Sequence, residues 1–209
     1  MQTQLIDACI MNSCLLFGNF TLKSGKQSPF FFNATFDNGH LLYLIAESFA
    51  DHLITTSGDE LSNYTLFGAA YKGIPLVSAI GTVLYAKYKV SVNIVFNRKE
   101  KKDHGEGGSL VGKIKYDKII VIDDVLTRGT ALHEVIDMIK KEAPGVKIER
   151  ALILLDRMEK VASTTAKQLL MNSTGVQIDS LISLIDIVDY LKVANPECYQ
   201  KMRHFLPEQ

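Results

Sequence analysis

Two adjacent carboxylates, Asp123 and Asp124, follow the β-favouring residues Ile119 to Ile122 and precede a turn rich in threonine and glycine. The apolar run reads as a strand buried on both faces. Beyond the turn, Ala131, Leu132, Val135, Ile136 and Ile139 carry helical spacing. In an open parallel sheet, ligands bind at the carboxyl ends of the strands. The first turn of the following helix leaves unpaired N–H groups that favour an anion, typically phosphate. Thr127 and Thr130 add hydroxyl donors, and Gly129 lets the backbone approach closely. Carboxylates repel phosphate, so Asp123 and Asp124 should face sugar hydroxyls or a cation. The chemistry asked for is that of a phosphorylated sugar. The plainer reading, an acid pair that ends a strand and caps a helix, does not account for strand, acids, turn and helix occurring in that order.

Three further segments carry chemistry. From Asn97 to about Gly112 the chain is polar and glycine-rich, with Arg98, Lys99, Lys101, Lys102 and His104. Such a loop has nothing to bury and is expected to be mobile without ligand. Its cations suit a leaving pyrophosphate; taken alone it is equally a solvated charge run. In Phe20 to Asn33, the aromatics Phe30, Phe31 and Phe32 cannot all face one way, so some are core and one is left for a flat ligand. Small residues in Phe67-Gly-Ala-Ala-Tyr-Lys-Gly73 allow a tight strand-to-helix turn whose N–H groups meet an anion, with Lys72 adding charge. Arg157, at the end of an apolar run from Val146 to Leu155, suits a carboxylate held by two parallel hydrogen bonds. Its ordinary alternative is an ion pair with neighbours of Asp156.

The stretch from Lys118 to Ala131 resembles the 5-phosphoribosyl 1-pyrophosphate (PRPP) signature of type I phosphoribosyltransferases. The run Asn-Arg-Lys-Glu-Lys-Lys-Asp-His-Gly-Glu-Gly-Gly, residues 97–108, is similar to the catalytic loop of the orotate phosphoribosyltransferase family, and Phe20 to Asn33 to its hood. That resemblance implies an enzyme that transfers ribose 5-phosphate from PRPP to orotate in pyrimidine synthesis. It implies PRPP binding by Lys23, Tyr71, Lys72, Arg98, Lys99, Lys102, His104, Asp123, Asp124 and the turn Val125, Leu126, Thr127, Arg128, Gly129, Thr130 and Ala131. Lys102 and His104 then lie over the pyrophosphate, with Asp123 and Asp124 completing the catalytic set. Orotate falls to Phe31, Phe32, Thr127 and Arg157. Mg2+ is the implied cofactor, reached by Asp123 and Asp124 only through PRPP and water. The family also implies a homodimer whose loop serves the neighbouring site. One departure is Arg128, where relatives usually carry alanine; backbone binding survives it if the side chain points to solvent.

The elements that must position these residues alternate strand and helix from about residue 41 onward, which predicts a doubly wound, mostly parallel sheet flanked by helices. The expected architecture is a type I phosphoribosyltransferase fold in one domain over 1–209. It has five strands in the α/β core of 41–209, a small N-terminal hood over 1–40 and a catalytic loop over 97–112. Leu5, Ile6, Cys9, Ile10, Leu16 and Phe17 are spaced as one amphipathic helix, and Gly18 as a turn after it. With 209 residues, 47% of them hydrophobic, the chain is large enough for a full core. Lysine plus arginine and aspartate plus glutamate balance at 23 each, so no overall field favours nucleic acid or an anionic membrane. The start of the chain lacks the basic and apolar runs of a signal peptide or membrane span. Three scattered cysteines suit neither a disulfide framework nor a zinc site, and point to a reducing, cytoplasmic setting.

Overall fold

The computed structural model describes residues 2–21, 25, 27–102, 108–161 and 163–206, with the main chain alone at 100–102 and 108. The chain opens with α1 (Gln2–Met11), β1 (Leu15–Thr21) and β2 (Gln27–Phe32), then α2 (Gly39–Ser57), β3 (Tyr64–Gly68) and α3 (Gly73–Tyr88). There follow β4 (Asn93–Lys102), β5 (Gly108–Val111), β6 (Lys118–Leu126), α4 (Thr130–Glu142) and β7 (Lys147–Asp156). It closes with β8 (Lys160–Val161), β9 (Thr164–Thr165), α5 (Ala166–Thr174), β10 (Gln177–Ser183), α6 (Leu184–Ala194) and α7 (Pro196–Met202).

The central sheet runs β10-β7-β6-β3-β4-β5, parallel throughout except for the antiparallel pair β4–β5. Alternation along its buried strands divides the core. Ile120 and Ile122 of β6 pack with Leu66, Leu152 and Leu154 under α2, α3 and α6. Ile119 and Val121 turn the other way, with Phe67, Ile153 and α4 residues Leu132, Ile136 and Ile139. A strand apolar on both faces needs a helix layer on each side, and both are present.

Several boundaries differ from the sequence expectation. The first helix ends at Met11, and Leu16 and Phe17 belong to β1, paired with Phe31 and Phe30 of β2. Gly18 makes no turn; it sits where the β1–β2 register slips between Phe17 and Phe20, a bulge. The sheet has a sixth strand. It arises because the segment expected as a loop from Asn97 to Gly112 continues β4 to Lys102 and returns as β5 from Gly108. Past Phe96 the arm carries few apolar residues, although Leu110 packs against the core, so its strands leave no hydrophobic period and backbone pairing reveals them. Residues 103–107 lie outside the described residues. The short pair β8–β9 and helix α5 were also not anticipated. No helix among the described residues is long and apolar enough to cross a membrane.

At the carboxyl edge, β3 passes into α3 through a turn whose backbone atoms nearly touch. A Cβ on Gly73 would meet the carbonyl carbon of Gly68 and the carbonyl oxygen of Ile122, each at 2.8 Å. Both are main-chain atoms of paired strands and cannot step aside. Gly73→Ala should therefore lower stability by about 1–3 kcal/mol, as overpacking does. Gly39→Ala, at the open start of α2 with nothing within 4 Å, should leave the thermal midpoint in place. Thermal unfolding of the two variants side by side checks this; equal midpoints would contradict the tight turn.

Candidate active site

The parallel register brings the carboxyl ends of β3, β4, β6 and β7 to one edge. Gly68 lies opposite Phe96 and Ile122, and Leu126 opposite Asp156. Here the structure gathers the acid pair, the threonine turn, the Tyr71-Lys72 turn, the root of the basic arm and Arg157.

Asp124 is buried and its Oδ2 accepts from Lys72 Nζ at 2.8 Å. The same ammonium donates to Asn33 Oδ1 at 2.9 Å, which ties the end of the hood strand to the acid pair. Asp123 Oδ1 accepts the backbone N–H of Asp124 at 2.9 Å. Burial first, then the charge of Asp124, raise the Asp123 carboxyl from its usual 3.8 to about 7; that backbone bond and Lys72 offset part of the rise. A cation or a row of sugar hydroxyls near the pair would relieve this stress.

Beyond the acids, Thr127, Arg128, Thr130 and Ala131 are exposed, so the Arg128 side chain is out of the core and the turn is open to a ligand. No side chain caps α4; Gly129 precedes it at φ +83°, and a Cβ there would meet Leu170 Cδ1 at 2.5 Å. The N–H groups of this first turn are thus presented without a competing side-chain acceptor. A small hollow of about 30 Å³ lies against the turn, lined by Asp123, Thr127, Gly129 and Ala131 among others. A wider cleft of about 530 Å³ opens between the Ala69-Ala70 turn, the root of the arm and the length of α4.

The arm is coupled to the Tyr71-Lys72 turn. Asn97 is buried, and its Oδ1 accepts the Ala70 N–H at 2.8 Å. Lys99 Nζ stands 5.8 Å from the centroid of the Tyr71 ring, within cation–π reach, and Tyr71 is 67% exposed. The Ala70–Tyr71 peptide is cis. Arg98 Nη1 donates to the Leu110 carbonyl at 3.2 Å, bracing β4 against β5. Lys23 and His104, and the side chain of Lys102, lie outside the described residues.

Arg157 is 7% exposed. Its backbone N–H donates to the Leu126 carbonyl at 3.1 Å, so it is anchored to the threonine turn. The guanidinium lies over the Phe30 ring, 4.5 Å from the centroid, and Nη2 donates to Ser28 Oγ at 3.3 Å. Glu159 Oε1 comes within 3.0 Å of Nε, yet the Nε–H is not aligned on it and forms no hydrogen bond. Burial pulls the guanidinium pKa down, and Glu159 pushes it back up.

The hood aromatics divide by alternation. Ser28, Phe30 and Phe32 turn inward, whereas Phe31 is 38% exposed and stacks obliquely on Phe20, centroids 5.6 Å apart. Phe32 is part of the core, so it can face a base only through its main chain. Phe30, Ser28, Asn33, Asn97 and Glu159 were not anticipated. Period-two alternation along β2 would have placed Ser28 and Phe30 on one face. Nothing in the sequence pattern singles out Glu159.

The raised carboxyl gives a pH test. A carboxyl whose folded pKa exceeds its unfolded value holds a proton that the unfolded chain has already released. Its contribution to stability is therefore lost as pH climbs from about 4 toward about 7. Asp123→Asn removes that loss, so the free variant should gain on the parent protein across this window, by on the order of 1–3 kcal/mol at pH 7 relative to pH 4.5. Urea unfolding at both pH values measures it. A constant gap between the two proteins would show that Asp123 is not raised.

Residues 34–174 match the model of the phosphoribosyl transferase domain. The orotate phosphoribosyltransferase of Marinobacter nauticus is 44% identical over 198 residues, spanning 94% of this chain and 90% of that protein. A crystal structure of the orotate phosphoribosyltransferase of Francisella tularensis superposes with a TM-score of 0.82 at 34% identity, covering 97% of this chain and 96% of that one. An adenine phosphoribosyl transferase from Trypanosoma brucei shares the fold alone, with a TM-score of 0.56 at 14% identity over 86% of this chain and 80% of that one. With acid pair, threonine turn, arm and buried arginine at one sheet edge, and with relatives of that identity along nearly its whole length, the chain belongs to the orotate phosphoribosyltransferase family of type I phosphoribosyltransferases.

Proposed function

We propose that the chain transfers ribose 5-phosphate from PRPP to N1 of orotate, giving orotidine 5′-monophosphate and pyrophosphate, a step of pyrimidine biosynthesis. The observation that carries the choice of base is Arg157. A buried guanidinium with Glu159 3.0 Å from Nε and no partner for Nη1 among the described residues, at the edge where the turn and the acids meet, is suited to a carboxylate on the base. A neutral base has no group for it. In the transfer, the bond from C1 of the ribose to pyrophosphate breaks as the bond from orotate N1 forms, and positive charge gathers on the sugar ring between the two events. The backbone of Val125, Leu126, Thr127, Arg128, Gly129, Thr130 and Ala131 binds the 5-phosphate, and Asp123 and Asp124 accept hydrogen bonds from ribose hydroxyls. Tyr71, Lys72, Arg98 and Lys99, with Lys23 of the hood, hold the pyrophosphate. Lys102 and His104 close over it as it leaves. Phe31 and the Phe32 main chain, with Thr127, confine the base. Catalysis then comes from closure and charge stabilisation, with no covalent nucleophile.

Mg2+ fits this site in one form. Among the described residues no group of three or more His, Cys, Asp or Glu is placed to hold a metal ion. Asp123 and Asp124 are the carboxylates at this sheet edge, and Lys72 already occupies one oxygen of Asp124. Such a site suits a hydrated cation carried by PRPP, touching the acids through water, and not one caged by protein. When bound, it neutralises charge on the pyrophosphate oxygens. We infer further a cytoplasmic homodimer in which the arm of one subunit serves the site of the other, with no nucleic acid or membrane partner. The free cysteines, among them buried Cys9 and Cys14, agree with a reducing compartment.

Purified protein with PRPP and magnesium should deplete orotate absorbance while leaving uracil and hypoxanthine almost untouched. Arg157→Ala should lower kcat/KM for orotate by about a hundredfold or more, since half of a buried charge pair is lost. Comparable turnover of uracil, or a full orotate rate in the variant, would overturn the base assignment. Separately, Lys102→Ala should slow single-turnover chemistry by roughly tenfold to a thousandfold and weaken PRPP binding less, the effect of removing one charge-stabilising donor. A subunit lacking the arm lysines, mixed under exchanging conditions with one carrying Asp123→Asn and Asp124→Asn, should regain activity through the shared site. Silence after mixing would end the loop-sharing model.

A further inference from the structure

Arg157 is gripped from three sides, and the third grip is of a different kind from the others. Phe30 supports the guanidinium face and Ser28 takes Nη2, both from the inner side of β2. Ser28 is itself fixed, its hydroxyl donating to the Phe30 carbonyl at 2.7 Å. These contacts define a plane and an orientation, and neither brings a negative charge to the guanidinium. Glu159 does the opposite. It supplies a negative charge 3.0 Å from Nε but no aligned hydrogen bond, and its side chain keeps 23% of its surface in solvent. Among the described residues Nη1 has no partner. The guanidinium thus has a counter-charge that its donors do not lock onto.

A buried arginine without any counter-charge is strongly destabilising. A buried arginine fully locked into a bidentate internal pair would have nothing left for a ligand. The observed arrangement lies between these limits. Resting on the reading of Arg157 as the partner of the base carboxylate, we propose that Glu159 is a specificity-determining positioning residue, an internal stand-in for that carboxylate which competes with it for Arg157. In the empty site Glu159 keeps the guanidinium charged and in place. When a carboxylated base arrives, the two negative groups share one cation, which weakens binding and hastens release of a product that carries the same carboxylate. A base without a carboxylate does not feel the competition.

The test is Glu159→Gln, which keeps shape and removes charge. KM for orotate should fall by roughly threefold to tenfold, the range of a partly buried charge contact. KM for PRPP and the residual rate with uracil should stay as in the parent protein. In an Arg157→Ala background the same change should have no effect on orotate. A purely structural role for Glu159 would lower the thermal midpoint and disturb both substrates alike. An unchanged or raised orotate KM in a stable Glu159→Gln protein would overturn the proposal. Should that variant fail to fold, Glu159→Asp, which withdraws the charge by one methylene, should shift orotate KM the same way by a smaller factor; no shift there overturns it too. If Arg157→Ala itself leaves orotate use intact, the base assignment fails. If Arg157→Ala abolishes orotate use while Glu159→Gln changes nothing, the competition alone is wrong.

Discussion

The parallel register of β6 between β3 and β7 is the constraint on which the site depends. Pairing Gly68 with Ile122, and Leu126 with Asp156, brings three chain segments distant in sequence to one edge, with β6 and β7 running on past the end of β3. The edge then closes on itself through main-chain bonds: Ala69 N–H to the Ile122 carbonyl at 3.1 Å, and Arg157 N–H to the Leu126 carbonyl at 3.1 Å. Parallel strands admit such convergence because every crossover returns the chain to start again from the far edge. The apolar alternation of β6 holds this register in place. A slip of one residue would exchange Ile120 and Ile122 for Ile119 and Val121 across the sheet, and would turn both carboxylates to the opposite faces.

That convergence creates an electrostatic problem which the hood solves. Two consecutive carboxylates at a buried strand end lose hydration and repel each other; burial first, then the charge of Asp124, raises the Asp123 carboxyl. Lys72 answers Asp124 directly, but a lysine on a turn needs something to aim it. Asn33, at the end of β2, does so from the other side, taking a second hydrogen bond from the same ammonium. The hood is therefore more than a cover over the edge. It orients the cation that makes the acid pair tolerable, and its inner face orients Arg157 through Ser28 and Phe30. Both charged groups of the site that come from turns are steadied by the same short strand.

Most of this was legible in the chain where hydrophobic period and turn chemistry coincide. Ile119 to Ile122 with the threonine turn gave strand, edge and ligand class together, since burial on both faces and a glycine-bearing helix start leave few alternatives. The arm was misread as a loop for a physical reason. Between Asn97 and Leu110 the chain is almost wholly polar, so the pairing of β4 with β5 leaves no hydrophobic period in residue type. Which of Phe30, Phe31 and Phe32 turn inward was not legible, because three aromatics in a row fix that some are inward without fixing which. The phase came from β1, which pairs Leu15 with Phe32 and so sends both into the core. Glu159 was invisible because β7 ends at Asp156, and beyond it Met158 takes φ +53°. A residue placed by such a bend follows no period.

The division of labour between sheet and hood also explains how one fold serves different bases. The adenine enzyme shares the fold at 14% identity, and a fold likeness carries no base with it. On the proposed reading, PRPP is held by a helix start, paired acids and a cationic turn, all at strand ends whose register the sheet dictates. The base is met by other pieces: the inner face of β2, and Arg157 with Glu159 just past the end of β7. Those pieces are joined to the sheet by few bonds, of which the Arg157 N–H to Leu126 is one. Changing Ser28 or Glu159 alters the surroundings of a single guanidinium without touching the acids or the phosphate turn. Choice of base is thus free to vary on a frame whose register must stay fixed.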